Sequence, residues 1–371
     1  MLTIERGRWL ALAVVGAGAV ALPYMVDSFY VNMATQALYL GLFALSINLI
    51  AGYGGMVTLG QAGISGIAGY TLGIAATQFG MSLGPALVVG FLATIVVAVV
   101  FGALAVRTGD VYFLMITLAQ GMIIWGIAQR WTTVTGGDNG LRGIDRPGFA
   151  LEYWKYYYFT LGVVAVCTLL VTLITRSTFG LSLKGIRESE GRMRPLGYNV
   201  TLHKFWAFTI AGAVAAIAGL LLAMFNQFVS PAAVHVKASA DGLLMSILGG
   251  MGTIAGAFVG SSLFVVVTNY VSGYFDRWPT LLGLIFVLTI LFAQDGIVGA
   301  WNRLVWAPLL RRRGRELEAE RTVVGVGGPL ARGQPVPAST SNVDRGGERA
   351  PVPVGGSPAS NAIEDKVDRE A

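Results

Sequence analysis

"RSTFGLSLKGIRESEGRMRPLGYNVTLHK", from Arg176 to Lys204, is a polar and mostly basic island between two long apolar runs. It holds six Lys/Arg against two Glu, and such a cationic excess beside apolar spans marks the cytoplasmic side of a membrane. Leu183, Ile186 and Met193 fall on one side at helical spacing, and Pro195 followed by Leu196-Gly197 supplies a stop and a turn. The stretch therefore predicts a short surface helix that ends abruptly. A helix too short to span, lying between two spans, needs a partner surface.

Composition agrees with a membrane setting. Of 371 residues, 54% are hydrophobic and 12% charged, where a soluble domain carries about 25% charged residues; mean hydropathy is +0.66. Fifty glycines favour closely packed membrane helices. The net charge of +6 does not indicate nucleic acid, because the cations cluster beside apolar runs, where they set orientation and meet anionic lipid. The one cysteine, Cys167, sits in an apolar run and has no partner for a disulfide. Two histidines, His203 and His235, are too few to build a metal site. The chain has no phosphate-cradling glycine loop ending in Lys-Ser/Thr, so if ATP drives this protein another subunit binds it. No cofactor of its own and no catalytic residue set are expected, since no nucleophile, base and orienting group share a face.

Taken in order, the sequence predicts an all-α, polytopic membrane protein of about ten transmembrane or broken helices. Arg6 and Arg8 precede a first span from Trp9 to Val26; a cleaved signal peptide competes with that reading, but the run is long enough for a core that needs about 20 residues. Further spans cover about Val31 to Ile50, Val57 to Phe79, Pro85 to Val106 and Val111 to Arg130. Residues 131–155 balance Arg142, Arg146 and Lys155 against Asp138, Asp145 and Glu152, so they read as an external, periplasmic loop. Tyr153, Trp154, Tyr156, Tyr157 and Tyr158 then form an interfacial belt opening a sixth span to Thr175. A seventh covers Phe205 to Phe225. The apolar region from Asp241 to Val271 is broken by Gly249-Gly250-Met251-Gly252, and dividing it there, with a last helix from Pro279 to Ala293, puts both termini in the cytoplasm. Residues 1–300 thus form the membrane domain. Residues 301–371 begin as a basic juxtamembrane segment with Arg311-Arg312-Arg313 and continue as a Pro/Gly/Ser-rich tail expected to be disordered.

The glycine break has an echo. Gly54-Gly55-Met56-Val57-Thr58 and Gly249-Gly250-Met251-Gly252-Thr253 share the pattern GGMxT, each after an apolar run. Paired glycine-interrupted segments in two halves of a chain point to a binding site or gate, because broken helices expose backbone groups to polar cargo. The glycines of the third span (Gly60, Gly63, Gly66, Gly69 and Gly73) give a bare face that another helix or a substrate can approach. Ionisable groups inside spans are nearly absent, with Asp110 and Asp241 at predicted ends; ion-coupled carriers usually keep one at a cost of about 2.5 to 3.5 kcal/mol. The neutral residues Asn48, Gln61, Thr117, Gln120 and Asn226, with Gly54, Gly55, Gly249 and Gly250, are the candidate translocation path or gate. Interhelical hydrogen bonding is the competing role for each polar one.

Four motifs in order carry a family resemblance: "NLIAGYGGMVTLGQAGISGIAGY" (Asn48 to Tyr70), "TVTGGDNGLRGI" (Thr133 to Ile144), "FVSP" (Phe228 to Pro231) and "LGGMGTIAGAFVG" (Leu248 to Gly260). With Gly185-Ile186-Arg187-Glu188, Met193-Arg194, Leu196-Gly197 and Asn199, they make the chain resemble the LivM-like permease subunits of branched-chain amino acid ABC importers, from about Thr35 to Gly299. Pro195 stands where that family has a helix former, and the long tail is not part of its pattern.

The resemblance implies a permease in the bacterial inner membrane, passing Leu, Ile or Val inward. Its implied partners are a second homologous permease, two ATP-binding subunits that hold ATP and Mg, and a periplasmic binding protein, with membrane lipid around it. The basic loop would be the coupling loop. Leu183, Ile186 and Met193 would bury against the ATPase groove, and Arg187, Glu188, Glu190 and Arg192 would fix the docking register, with Leu196 and Gly197 in the turn. Gly136, Gly137, Asn139 and Gly140 of the external loop would meet the binding protein. Urea and short-amide permeases are closely similar, and a stand-alone carrier or channel is the rival from another class.

Overall fold

Inside hydrocarbon every backbone N–H and C=O needs a partner within the protein, which leaves the helix or the closed barrel. This chain takes the helix. The computed structural model describes residues 18–273 and scattered positions between 280 and 299. The predicted first span is described only from residue 18, where 18–25 are helical. Most of the predicted last helix and all of 301–371 lie outside the described residues.

The helices are α1 (Ser28–Asn48), continued by a π turn (Leu49–Tyr53); α2 (Gln61–Thr77); α3 (Leu83–Ala105); α4 (Asp110–Arg130); α5 (Tyr153–Arg176); α6 (Thr178–Glu188); α7 (Val200–Asn226); α8 (Val236–Gly249); and α9 (Ile254–Val266), continued by a second π turn (Val267–Val271). Among the described residues six are long and apolar enough to cross a membrane: α1, α3, α4, α5 and α7, and α9, each of the first and last counted with its π turn. The shorter α2 and α8 run between the same two ends. At the basic end the turn after α1, helix α6 and the turn after α8 converge. At the opposite end the 131–152 loop meets the segment between α7 and α8 through a two-residue antiparallel pair, β1 (Leu141–Arg142) and β2 (Phe228–Val229).

Three boundaries differ from the sequence reading, each for a local reason, and the expected division of 241–271 is present. Helix α2 starts at Gln61 rather than Val57, because Gly55 takes a left-handed φ of 73° that only glycine adopts freely. Helix α7 starts five residues before Phe205, because the Asn199 side chain accepts the Leu202 N–H at 3.1 Å and caps it. The 241–271 region is two helices that meet at Gly250–Thr253, so the break at the glycines is real. The helix of the basic loop ends at Glu188, well before Pro195; Ser189 is extended (φ −168°), and one more helical turn, Glu190–Met193, follows.

Helices α1 and α7 form the centre, with α2, α8 and α9 against them, while α3, α4 and α5 expose long apolar side chains such as Leu92, Val96, Ile123, Leu169 and Leu173 outward. Lipid tails are as apolar as leucine, so close backbone approach at small residues holds such helices together. At Gly219 of α7 an added Cβ would overlap the carbonyl of Ser65 in α2, and at Gly260 of α9 it would overlap that of Met245 in α8. The bare face of α2 is used the same way: Gly60 and Gly63 meet α4, and Gly66, Gly69 and Gly73 meet the outer segments. Gly219→Leu is expected to destabilise the purified protein by about 1–3 kcal/mol or more through overpacking against backbone. Gly162→Ala, on α5 with open space around it, should be neutral or stabilising by about 1 kcal/mol from helix propensity; thermal unfolding in detergent compares the two.

Candidate functional site

The turn just before the first GGMxT stretch and the second GGMxT stretch meet at the basic end. Asn48, fully buried in the last turn of α1, donates from Nδ2 to the Thr253 carbonyl at 2.7 Å and accepts the Gly252 N–H on Oδ1 at 2.7 Å. One amide thus satisfies both kinds of orphan backbone group where α8 breaks and α9 begins. Gly52 lies against Gly252, where neither position has room for a side chain, and Gly250 (φ 119°) packs on Gly296. The π turn that ends α1 is a local widening of the kind often found at functional positions.

Helix α6 is joined to this junction. Arg187 donates from its guanidinium to the Gly52 carbonyl, its aliphatic stem lies against Gly55, and the same group reaches beside Gly252. A cation on a freed carbonyl at the C-terminal end of a helix also suits the helix dipole. Lys184 places its ammonium 5.2 Å from the Tyr53 ring centroid, a cation–π contact on the same π turn.

The apolar side of α6 faces inward rather than out. Leu183 and Ile186 are each 1% exposed, closed off by the chain's own bundle, and Met193 folds its sulfur onto the bare Gly185. Leu183 and Ile186 therefore do not form the face expected to be presented to a partner, whereas Met193 stays half-exposed. The break at Ser189 makes the fold-back possible and lets Glu190 pair with Lys204, whose side chain is buried, and with Arg194 at 3.8 Å. What remains open is Leu181 (64% exposed), Glu188, Arg192, Leu196 (70% exposed), Gly197 and Tyr198. Leu196 and Gly197 form a turn closed by the Gly197 N–H on the Arg194 carbonyl at 3.0 Å, with Gly197 at φ 86°.

At the opposite end the other two motifs pair. Gly136, Gly137 and Gly140 all have positive φ, which winds the external loop so that Leu141 and Arg142 align with Val229 and Phe228. Asn139 and Asp138 stay exposed, and Gly137 is buried. Arg146 donates to the carbonyls of Met224 (3.4 Å) and Phe225 (2.8 Å) and stacks over Tyr156, tying the loop to the end of α7. Sequence reasoning did not single it out; a lone arginine in a charge-balanced loop offers no local signal for that role.

Among the hollows of the described residues, two carry an ionisable acid in their lining. The outer one, about 360 Å³, is lined by Trp125, Gln129, Asp138, Pro231, His235 and Lys237, with Gln129 donating to Asp138 at 2.7 Å. The inner one, about 140 Å³, is walled by α1, α2, α7, α8 and α9 and is almost wholly apolar. Its one ionisable acid is Asp241. That residue was expected at a helix end, but α8 begins at Val236, so Asp241 is the sixth residue of the helix and lines the cavity.

Of the remaining candidates, Thr117 receives the Leu59 N–H at 3.4 Å and gives its proton to Leu114, and Gln120 donates to the Phe101 carbonyl at 3.0 Å. Both act here between or along helices. Asn226 is exposed at the end of α7. Gln61 is fully buried at the start of α2 with neither amide atom paired. Among the described residues no group of three His, Cys, Asp or Glu is placed to hold a metal.

Comparison with known proteins gives the same outline. The LivM permease protein of a high-affinity branched-chain amino acid transport system from Salmonella typhimurium is 28% identical over 307 residues, 76% of this chain and 72% of the relative; that of Escherichia coli K12 matches equally. A permease protein of an autoinducer 2 import system, LsrC from Salmonella paratyphi B, is 27% identical over 252 residues, 64% of this chain and 71% of the relative. The family profile described as branched-chain amino acid transport system / permease component matches residues 29–294. Those residues take in both glycine breaks, the basic loop, the external pair and both hollows, and the chain belongs to that family as a LivM-like, multi-pass membrane permease.

Proposed function

We propose that this chain is the permease subunit of an ABC importer that moves a branched-chain amino acid, Leu, Ile or Val, across the bacterial inner membrane into the cytoplasm. ATP and Mg act on two partner ATP-binding subunits, a second homologous permease completes the membrane part, and a periplasmic binding protein delivers cargo at the outer end. The basic end is then cytoplasmic, which its cations, Arg107, Arg176, Lys184, Arg187, Arg192 and Arg194, support. Specificity resides mostly in the binding protein.

One contact carries the coupling part of this reading: Arg187 links the loop to the junction of the two broken segments. A push on the open outer half of the loop, at Glu188, Arg192, Leu196 and Tyr198, is transmitted by α6 to Gly52 and Gly252, where α1 and the α8–α9 pair touch. Leu183 and Ile186 serve inside the chain as the anchorage of that lever. The two LivM relatives, which cover more of the chain than the LsrC relative, favour branched-chain cargo over an autoinducer.

A stand-alone carrier draws support from Asp241, an acid inside a membrane helix. A basic loop whose inner face is anchored and whose outer face is open favours the powered reading. Tagged chain expressed with its neighbouring genes is expected to bring down two ATPase subunits and to import leucine into vesicles only with ATP and binding protein. Transport by the chain alone in liposomes would overturn the assignment.

Leu196→Glu or Glu188→Arg is expected to leave membrane insertion intact and to uncouple uptake from ATP hydrolysis in reconstituted vesicles. Arg187→Ala removes a charged hydrogen bond worth about 1.5–3 kcal/mol and should lower uptake roughly tenfold or more while the ATPase subunits remain bound. Normal uptake in both kinds of variant counts against the lever.

A further inference from the structure

The inner cavity has a composition that selects a class of cargo. Its walls are apolar, with Phe43, Leu222, Met245 and Phe264 prominent, and its volume is about 140 Å³. A space of about 150 Å³ lined by such residues holds a six-carbon ring, so a branched four-carbon side chain fits. Into this apolar space α8 sets one carboxylate. Among the described residues Asp241 makes no hydrogen bond and no ion pair within 4.0 Å; Lys237, one turn nearer the outer end, acts on it electrostatically from the same helix but lines the other hollow, not this cavity. Asp241 is partly buried, so its desolvation costs less than the about 2.5 to 3.5 kcal/mol of a carboxylate at the centre of a spanning helix, and the cavity itself offers no cation.

A polyhydroxylated, uncharged cargo would lose its hydrogen bonds to water here and find few in return. An aliphatic molecule with a primary ammonium recovers more of what it loses: the ammonium meets Asp241, which offsets part of its lost hydration, and the hydrocarbon meets the aromatic and thioether walls. We propose that this cavity is a cargo subsite for an aliphatic, ammonium-bearing molecule, with Asp241 as its counter-charge. This deepens the import reading and rests on it for the identity of the cargo. It also separates the chain from an importer of neutral, oxygen-rich molecules.

Two measurements on the full chain assembled with its partner subunits test it. In the first, Ala238→Cys places a thiol on the cavity wall, and its modification by a small alkylating reagent is followed by mass spectrometry at that position. Isopentylamine should slow modification about tenfold, the factor given by ~1.4 kcal/mol, 4-methylpentanoate should not, and adding Asp241→Asn should abolish the protection. In the second, Asp241→Asn should lower leucine uptake about tenfold or more while binding-protein-stimulated ATP hydrolysis and subunit stoichiometry persist, and Asp241→Glu should retain most uptake. Absence of amine protection, or equal protection by the carboxylic acid, overturns the subsite whatever the uptake shows. Amine protection in an assembled complex that imports no leucine sustains the subsite and overturns the branched-chain reading instead.

Discussion

A helix that stops inside a membrane leaves backbone groups with no water to meet them, and the amide of Asn48 resolves that problem for two helices at once. Its oxygen takes the N–H of Gly252 and its nitrogen gives to the carbonyl of Thr253. Interhelical hydrogen bonds in membranes average only about 0.6 kcal/mol, whereas unsatisfied backbone in hydrocarbon costs several. The value of Asn48 therefore lies in permitting the break between α8 and α9 at all. With that break allowed, Gly52 and Gly252 can touch, and a loop from outside the bundle can reach both through Arg187.

The four motifs are two joints. At the basic end the first and last meet around Asn48; at the other end the external loop and the segment after α7 pair as β1 and β2, with Arg146 holding the loop on the end of α7. The central helices α1 and α7 and the glycine-faced α2 run between the joints. The inner cavity lies among α1, α2, α7, α8 and α9. Rigid helices between two joints, one of them gripped by a loop, form an arrangement in which small movements at one end alter packing around a hollow in the middle.

Much of this was legible in the residues. Long apolar runs gave the spans, the cationic excess marked one end, and the glycine run at 249–252 marked a real break between two helices. Two kinds of information were not local. The inward face of α6 could not be read from Leu183, Ile186 and Met193, because an amphipathic pattern shows that a face is buried without showing by what; here it is the chain's own bundle. The position of Asp241 was hidden by the start of α8: the polar residues Lys237 and Ser239 obscured an N-terminus that lies five residues before the acid. Likewise the helical start of α7 depends on the Asn199 cap, which hydropathy does not register.

The interruption at Ser189 divides the basic loop into two territories of different freedom. On the α6 side, Gly180, Ser182, Leu183 and Ile186 are committed to the interior of their own subunit, so a change at one of them disturbs the membrane bundle itself. Beyond Ser189, the single turn and the Leu196-Gly197 corner touch the bundle mainly through Glu190 and Lys204, and their outer side chains answer only to whatever docks on them. Substitutions on that outer surface can therefore accumulate without repacking the bundle, whereas changes at Leu183 or Ile186 cannot.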